Sequence, residues 1–376
     1  MANTTFDTKA PSRAASAYQP VPAPPKSLVS LGNLVTLIVL GVLIAIPFFS
    51  KSFFVFQMTQ MLVYAVAVLG LNLLTGINGQ FSLGHSAFYA IGAYTCAILV
   101  EHAGVNYMLT IPIAGMTAFV FGFLFGFPAL RLEGLYLALA TFALAVATPQ
   151  ILKLNAIEEW TGGVQGIIMF SESATFGPEV PFGLAMEEQT WVFYFTLFVF
   201  CVIYLLCMGL VKSRTGRAMM AIRDNPIAAR SMGISLPNYK ATAFGISALV
   251  TGIAGALNAI VIKFVAPDSF TFIIAILILV GMVIGGVGWM QGCLIGGLAM
   301  LYFPNIAEVI DDLVIGAASL VGAADALPPA SEMQQQFIRL SGVIYGIILI
   351  LIIYLAPSGA GGLLRAIVGR IKRLGS

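Results

Sequence analysis

Ten stretches of this chain are each apolar over a length that crosses a bilayer, and that repetition limits the possible folds more than any single motif does. They run at about Leu31 to Phe49, Phe54 to Thr75, Phe81 to Val100, Leu109 to Phe127, Leu132 to Leu152, Trp191 to Val211, Ala241 to Ile262, Phe270 to Gly288, Gly292 to Asp311 and Ile338 to Ala356. In hydrocarbon every backbone polar group must find a partner within the protein, so runs of this length are expected as α-helices. Charged residues make up only 9% of the chain, against roughly 25% in an ordinary soluble domain. The expected fold class is an all-α integral membrane protein, a polytopic helical bundle of about ten transmembrane helices. Several runs contain Gly or Pro, which leaves one or two of them open to being broken or re-entrant. The division between Phe270 to Gly288 and Gly292 to Asp311 is the least secure, since only Trp289 to Gln291 separates the two.

The charges orient this bundle. With both ends of the chain inside, 14 of the 18 Lys and Arg face the cytoplasm, six of them in the loop from Lys212 to Lys240. Lys51, Lys153, Lys263 and Arg339 then face outward with 13 of the 16 acids, and the inverted arrangement would reverse the bias. Residues 1–30, rich in Pro, Ala and Ser with Lys9, Arg13 and Lys26, read as a disordered basic tail without the features of a cleavable signal peptide. Residues 357–376 read as a second basic cytoplasmic tail. The outer loops 153–190 and 312–337 are acidic; they either solvate the surface or meet a soluble partner. The net charge of +2 offers no case for nucleic acid, and the four cysteines lack paired spacing, so neither a disulfide nor a metal site is expected.

The loop from Lys212 to Lys240 carries its six cations against one acid, Asp224. Asp224 and Asn225 suit hydrogen bonds from a first helical turn, Pro226 suits the first helical position, and Gly233 suits a left-handed residue after the last turn. The spacing predicts a helix over Pro226 to Met232, with Arg230 at the end where a cation meets the negative dipole. A helix this short is marginal alone in water, so something must dock on it. The residues by themselves leave lipid headgroups and a partner protein equally open.

Two polar stretches interrupt the apolar pattern. In NGQFSLGHSAFYAIGAY, residues 78–94, Asn78, Gln80, Ser82 and His85 sit with Gly84 at the start of a span. Such groups pair with neighbouring helices or line a wet path, and His85 taken alone reads more readily as a structural histidine than as a proton relay. As a cluster the stretch is a candidate border of a translocation path. In WTGGVQG, residues 160–166, Thr161, Gly162 and Gly163 form either a plain tight turn or a lip at the outer mouth of that path. Gly281, Gly285, Gly288, Gly292 and Gly296 repeat a small-residue spacing that permits close helix packing. No phosphate-binding GxxxxGK[S/T] loop, HExxH, CxxC or cluster of intramembrane carboxylates is present, so neither ATP hydrolysis by this chain nor proton coupling is expected.

Five dispersed blocks in order, GINGQFSLGHSAFYAIGAY (76–94), RLEGLYLALA (131–140), TGGVQGI (161–167), GRAMMAIRDNPIAARSMGI (216–234) and PDSFTF (267–272), resemble the permease subunits of bacterial ATP-binding-cassette importers for branched-chain amino acids, in particular the LivM-like half of the pair. IAARSMG, residues 227–233, is similar to the EAA-x-x-x-G signature of such permeases with Ile227 in place of the Glu. The resemblance implies a multi-pass subunit of the bacterial inner membrane that is not an enzyme and carries no cofactor of its own. It implies a homologous LivH-like permease partner, two ATPase subunits that hold ATP and Mg, and an extracytoplasmic solute-binding protein that selects the small-molecule substrate. It further implies that Arg217, Arg223, Asp224, Asn225, Pro226, Ala228, Ala229, Arg230, Met232 and Gly233 belong to the segment coupled to the ATPase. Related importers carry urea, amides or aromatic acids, and these stay open as alternative cargo. An ATP-independent carrier or channel and a membrane enzyme are the competing classes, and for the last the chain shows no catalytic constellation.

Overall fold

The run expected at 54–75 forms α1, Ser52–Leu71, which continues through six residues of π-helix, Asn72–Ile77. Then come α2 (His85–Glu101), α3 (Tyr107–Ala129), α4 (Leu135–Leu152), α5 (Glu188–Lys212), α6 (Arg214–Asp224), α7 (Pro226–Ser231), α8 (Leu236–Ile262), α9 (Phe272–Gly285) and α10 (Cys293–Tyr302). This computed structural model describes residues 41–129, 132, 134–169 and 187–302. Residues 41–49 are helical and belong to one compact unit, and a second begins at Ser50. Both tails, most of the run at 31–49, the run at 338–356, the 312–337 loop and the middle of the 153–190 loop lie outside the described residues.

Among the described residues six helices are long and apolar enough to cross a membrane: Ser52–Ile77, Tyr107–Pro128, Leu135–Leu152, Glu188–Lys212, Leu236–Ile262 and Pro267–Gly285. The run expected at 81–100 yields only the 17 residues of α2, because its polar start is not helical. The Asn78 and Gln80 amides bond back to the Leu73 and Leu74 carbonyls at 3.2 and 3.1 Å, which closes the end of α1 instead of opening α2. The insecure division after α9 does exist. It falls at Gly286 and Gly288, whose φ angles of 110° and 76° form a turn that residues with a Cβ resist. Of the run expected at 292–311, α10 is the described part.

α1 and α8 form the centre. In each, 78% of the apolar stretch is buried, against 33% in α3, α4 and α5, whose remaining faces carry exposed side chains such as Met116, Leu124, Leu139, Phe198 and Leu205. The reason lies in composition: the buried part of α8 is largely Ala, Gly, Ser and Thr. Lipid gives apolar side chains no reason to leave it, so helices associate where small residues let backbones touch. A Cβ on Gly92 of α2 would strike the Gly252 carbonyl of α8, and one on Gly255 would strike the Tyr89 carbonyl.

Contacts divide the bundle into two ends along the line the charges drew. At one end Ser52 Oγ donates to Glu187 Oε1 at 2.7 Å, Lys153 pairs with Asp268 at 2.6 Å, and Lys263 pairs with Glu188. All of these residues were expected outside. At the other end Arg223 of the basic loop meets Gly76.

Candidate functional site

The basic loop folds into two helices. Ser213 caps α6 by accepting from the Gly216 amide at 3.3 Å, and α6 buries Gly216, Ala218, Met219 and Ile222 while Arg214 and Arg217 are exposed. Sequence reasoning missed this helix, although the apolar residues at 218, 219 and 222 recur at helical spacing between arginines. Arg217 Nη1 donates to the Lys212 carbonyl at 2.8 Å, and Arg223 Nη1 donates to the Gly76 carbonyl at 2.7 Å. Asp224 was expected to cap the next helix. It ends α6 instead and pairs with Arg223 at 3.0 Å, because Asn225 already occupies the capping position.

α7 carries the expected caps. Asn225 Oδ1 accepts from the Ala228 amide at 3.0 Å, and Pro226 opens the helix, where its missing N–H costs nothing. At the far end Gly233, at φ 82°, donates to the Arg230 carbonyl at 3.0 Å, and Ile234 donates to the Ala229 carbonyl at 3.1 Å. These two bonds are the Schellman pair that seals a helix whose next residue is left-handed. Met232 caps the helix, which is therefore one residue shorter than expected. Only Ala229 of α7 is buried; Ile227 is 80% exposed and Met232 83%, with Arg230 between them in sequence. A two-turn helix held almost entirely by its caps presents an isoleucine and a methionine to water.

The stretch 78–85 follows the C-terminal end of α1 and bonds back to it. Asn78, Gln80, Ser82, Gly84 and His85 are all buried within this chain, while Gly79 and Phe81 are exposed. Asn78 Nδ2 donates to Gln80 Oε1 at 2.9 Å. His85 stands in a chain of hydroxyls whose donors can be assigned by counting protons. Ser247 Oγ donates to the Gly70 carbonyl at 2.6 Å, so it receives the His85 Nε2 proton at 2.7 Å. Nδ1 is then the acceptor, from Ser82 Oγ at 3.1 Å, which in turn accepts from the Gly84 amide. One neutral tautomer satisfies every group and ties α1, α2 and α8 together. His85 is placed as a structural histidine.

Thr161, Gly162 and Gly163 are brought together at the end carrying Lys153 and Lys263. Thr161 Oγ1 lies 2.9 Å from the Leu152 carbonyl and 3.0 Å from that of Ile157, and it accepts from the Gly163 amide at 3.3 Å. Gly162 and Gly163 have φ angles of 69° and 54°. The turn leads into a two-residue strand, β1 (Ile167–Ile168), paired antiparallel with β2 (Phe264–Val265), Ile167 opposite Val265. That pairing pins the turn to the chain leaving α8, and His102 stacks beside Trp160 at 5.5 Å. The arrangement is more than a free turn, and among the described residues no group of three or more His, Cys, Asp or Glu is placed to hold a metal ion.

Residues 53–353 match the family described as the branched-chain amino acid transport system permease component. The high-affinity branched-chain amino acid transport system permease protein LivM of Escherichia coli K12 is 39% identical over 272 residues, 68% of this chain and 63% of the relative. Its counterpart in Salmonella typhimurium LT2 is 37% identical over 268 residues, 66% of this chain and 62% of that protein. A probable LivM permease of Methanocaldococcus jannaschii is 26% identical over 327 residues, covering 84% of this chain and 85% of the relative. The chain thus spans a little under two thirds of the two bacterial relatives. No solved structure matches it. With a match that takes in every span described above, this multi-pass membrane chain belongs to the family of branched-chain amino acid transport permease components.

Proposed function

We propose that this chain is one permease subunit of an ATP-driven importer for branched-chain or other hydrophobic amino acids, and that α7 is the piece an ATPase subunit grips. The observation that carries the reading is α7 itself, capped at both ends, buried only at Ala229, and offering Ile227 and Met232 to a cleft this chain does not contain. Ile227, where the resembled signature has Glu, makes that contact apolar instead of ionic. The α7 end faces the cytoplasm, which puts the Lys153–Asp268 end outside, where a solute-binding protein meets the pinned turn at Thr161 to Gly163. A homologous LivH-like permease completes the path, and two ATPase subunits supply ATP and Mg. Reconstituted with these partners in liposomes, the chain should take up leucine only when ATP is supplied on the α7 side. Uptake by the purified chain alone, indifferent to ATP, would establish the carrier reading in its place.

The stretch at 78–85 borders the path, with Phe81, 40% exposed, as its exposed side chain in the arrangement described. A cysteine at Phe81 should react with small polar thiol reagents in the nucleotide-free complex, whereas one at Ser82, 1% exposed, should react only once nucleotide changes the arrangement. Equal protection of both positions in every nucleotide state would remove this stretch from the path.

A further inference from the structure

The inner end of α1 is where three separately folded pieces converge. Arg223, the penultimate residue of α6, donates from Nη1 to the Gly76 carbonyl at 2.7 Å, and that carbonyl lies among the last groups of the helix, at its negative end. The stem of Arg223 lies on Gly79, where an added Cβ would fall 2.6 Å from Cγ. Asn72 opens the π-helical segment and bonds the turn between α9 and α10 twice. Its Oδ1 accepts from the Gly288 amide at 2.7 Å, and its Nδ2 donates to the Trp289 carbonyl at 3.2 Å. Gly76 rests directly on that turn, so that a Cβ there would meet Gly288 Cα at 2.8 Å. Bonds from i to i+5 make a wider turn than the α-helix, and such segments are rare overall and frequent at functional sites.

The geometry of this junction points to a transmission route. α7 begins at Pro226, two residues after Asp224 ends α6, and at its other end residues 232–235 lead into α8, which it also contacts. A shift of α7 therefore moves the end of α6, and Arg223 is the side chain there that grips a span. We propose that Arg223 carries displacement of α7 into the membrane by holding the Gly76 carbonyl at the π-helical end of α1, from which Asn72 passes it to the α9–α10 turn. This rests on the reading of α7 as the segment an ATPase grips. Arg223 is in this sense a positioning residue: it touches neither solute nor nucleotide.

The test uses the whole importer in liposomes and reads leucine uptake per ATP hydrolysed, normalised to assembled complex. Arg223→Ala should lower that ratio roughly tenfold while ATP hydrolysis continues, within the range that changes along a coupling connection produce. Arg214→Ala removes the same charge from the exposed first turn of α6 and should leave the ratio within about twofold of the parent. Arg223→Lys keeps a donor within reach of one carbonyl and should recover part of the loss. Arg223→Met keeps a stem on Gly79 and drops the donor, so it should lower the ratio as the alanine variant does, and it decides the matter if that variant assembles poorly. An unchanged ratio in Arg223→Ala, or in Arg223→Met should that be the only one of the two to assemble, overturns the route. So does an equal loss in Arg214→Ala, which would make net charge the cause. A complex purified with no ATPase on α7 would instead overturn the coupling reading beneath it.

Discussion

Uptake falls to background when Arg230 and Met232 are both replaced by Glu, and the chain remains in the membrane at its normal level. The two substitutions move the exposed end of α7 by three charge units, two at position 230 and one at 232. Neither touches a bond that holds the helix, because its C-terminal seal consists of the backbone bonds Gly233 to Arg230 and Ile234 to Ala229. A carboxylate near a helix C-terminus costs about 0.3–1 kcal/mol, which the flanking spans tolerate. The docking surface fares worse. Met232 is 83% exposed, and an apolar side chain presented in that way gains its energy when a partner covers it. Loss of an interface anchor costs about 2 kcal/mol or more, a thirtyfold or greater weakening before repulsion is added. ATP turnover by the assembled complex, leucine uptake and membrane abundance are the three readouts. Normal uptake by the double variant would remove α7 from the coupling role, whereas lost uptake together with lost abundance would assign the effect to folding.

How legible this was in the sequence depended on whether the deciding interaction was local. The caps of α7 are local: Asn225, Pro226 and Gly233 each act within four residues, and each sits where the residue type required. Six of the ten apolar runs yield helices long enough to cross a membrane among the described residues, yet α2 came out short because the amides of Asn78 and Gln80 return to Leu73 and Leu74, a choice that composition does not record. The π-helical end of α1 was also invisible. Its partners, Arg223, Gly288 and Trp289, are more than a hundred residues away in sequence. Asn72, the one amide between Gln60 and the end of that apolar run, was its one local trace. Asp224 shows the opposite error, in which a residue of the right type for a cap was assigned that task although its neighbour Asn225 sat one position closer to the helix.

Removing a single oxygen from the centre of the bundle should cost more than its size suggests. Ser247→Ala deletes one hydroxyl with almost no change in volume, at a position buried completely between α1, α2 and α8. Ser247 is the middle of a relay, so its loss breaks two bonds at once: it strands the Nε2 proton of His85 and takes from the Gly70 carbonyl, which lies within α1, the bond it accepts from outside that helix. Side-chain hydrogen bonds in membrane proteins average about 0.6 kcal/mol each, because a loosened helix finds other partners. Here the partners are enclosed, and an unpaired buried group costs about 1–3 kcal/mol. A loss of roughly 2 kcal/mol in the folding equilibrium follows, twice what deleting a terminal bond in such a relay would give. The double variant His85→Ala with Ser247→Ala distinguishes this from a packing defect. Once the imidazole is gone, deleting the Ser247 hydroxyl strands no donor and removes only an additional bond to the Gly70 carbonyl, so the two changes together should cost at least about 0.5 kcal/mol less than their sum. Unfolding of the purified protein in detergent measures all three. Strict additivity, or a Ser247→Ala protein within about 0.5 kcal/mol of the parent, would mean that the three helices hold without the relay and that small residues alone, Gly92 against Gly252 and Gly255 against Tyr89, suffice to join them.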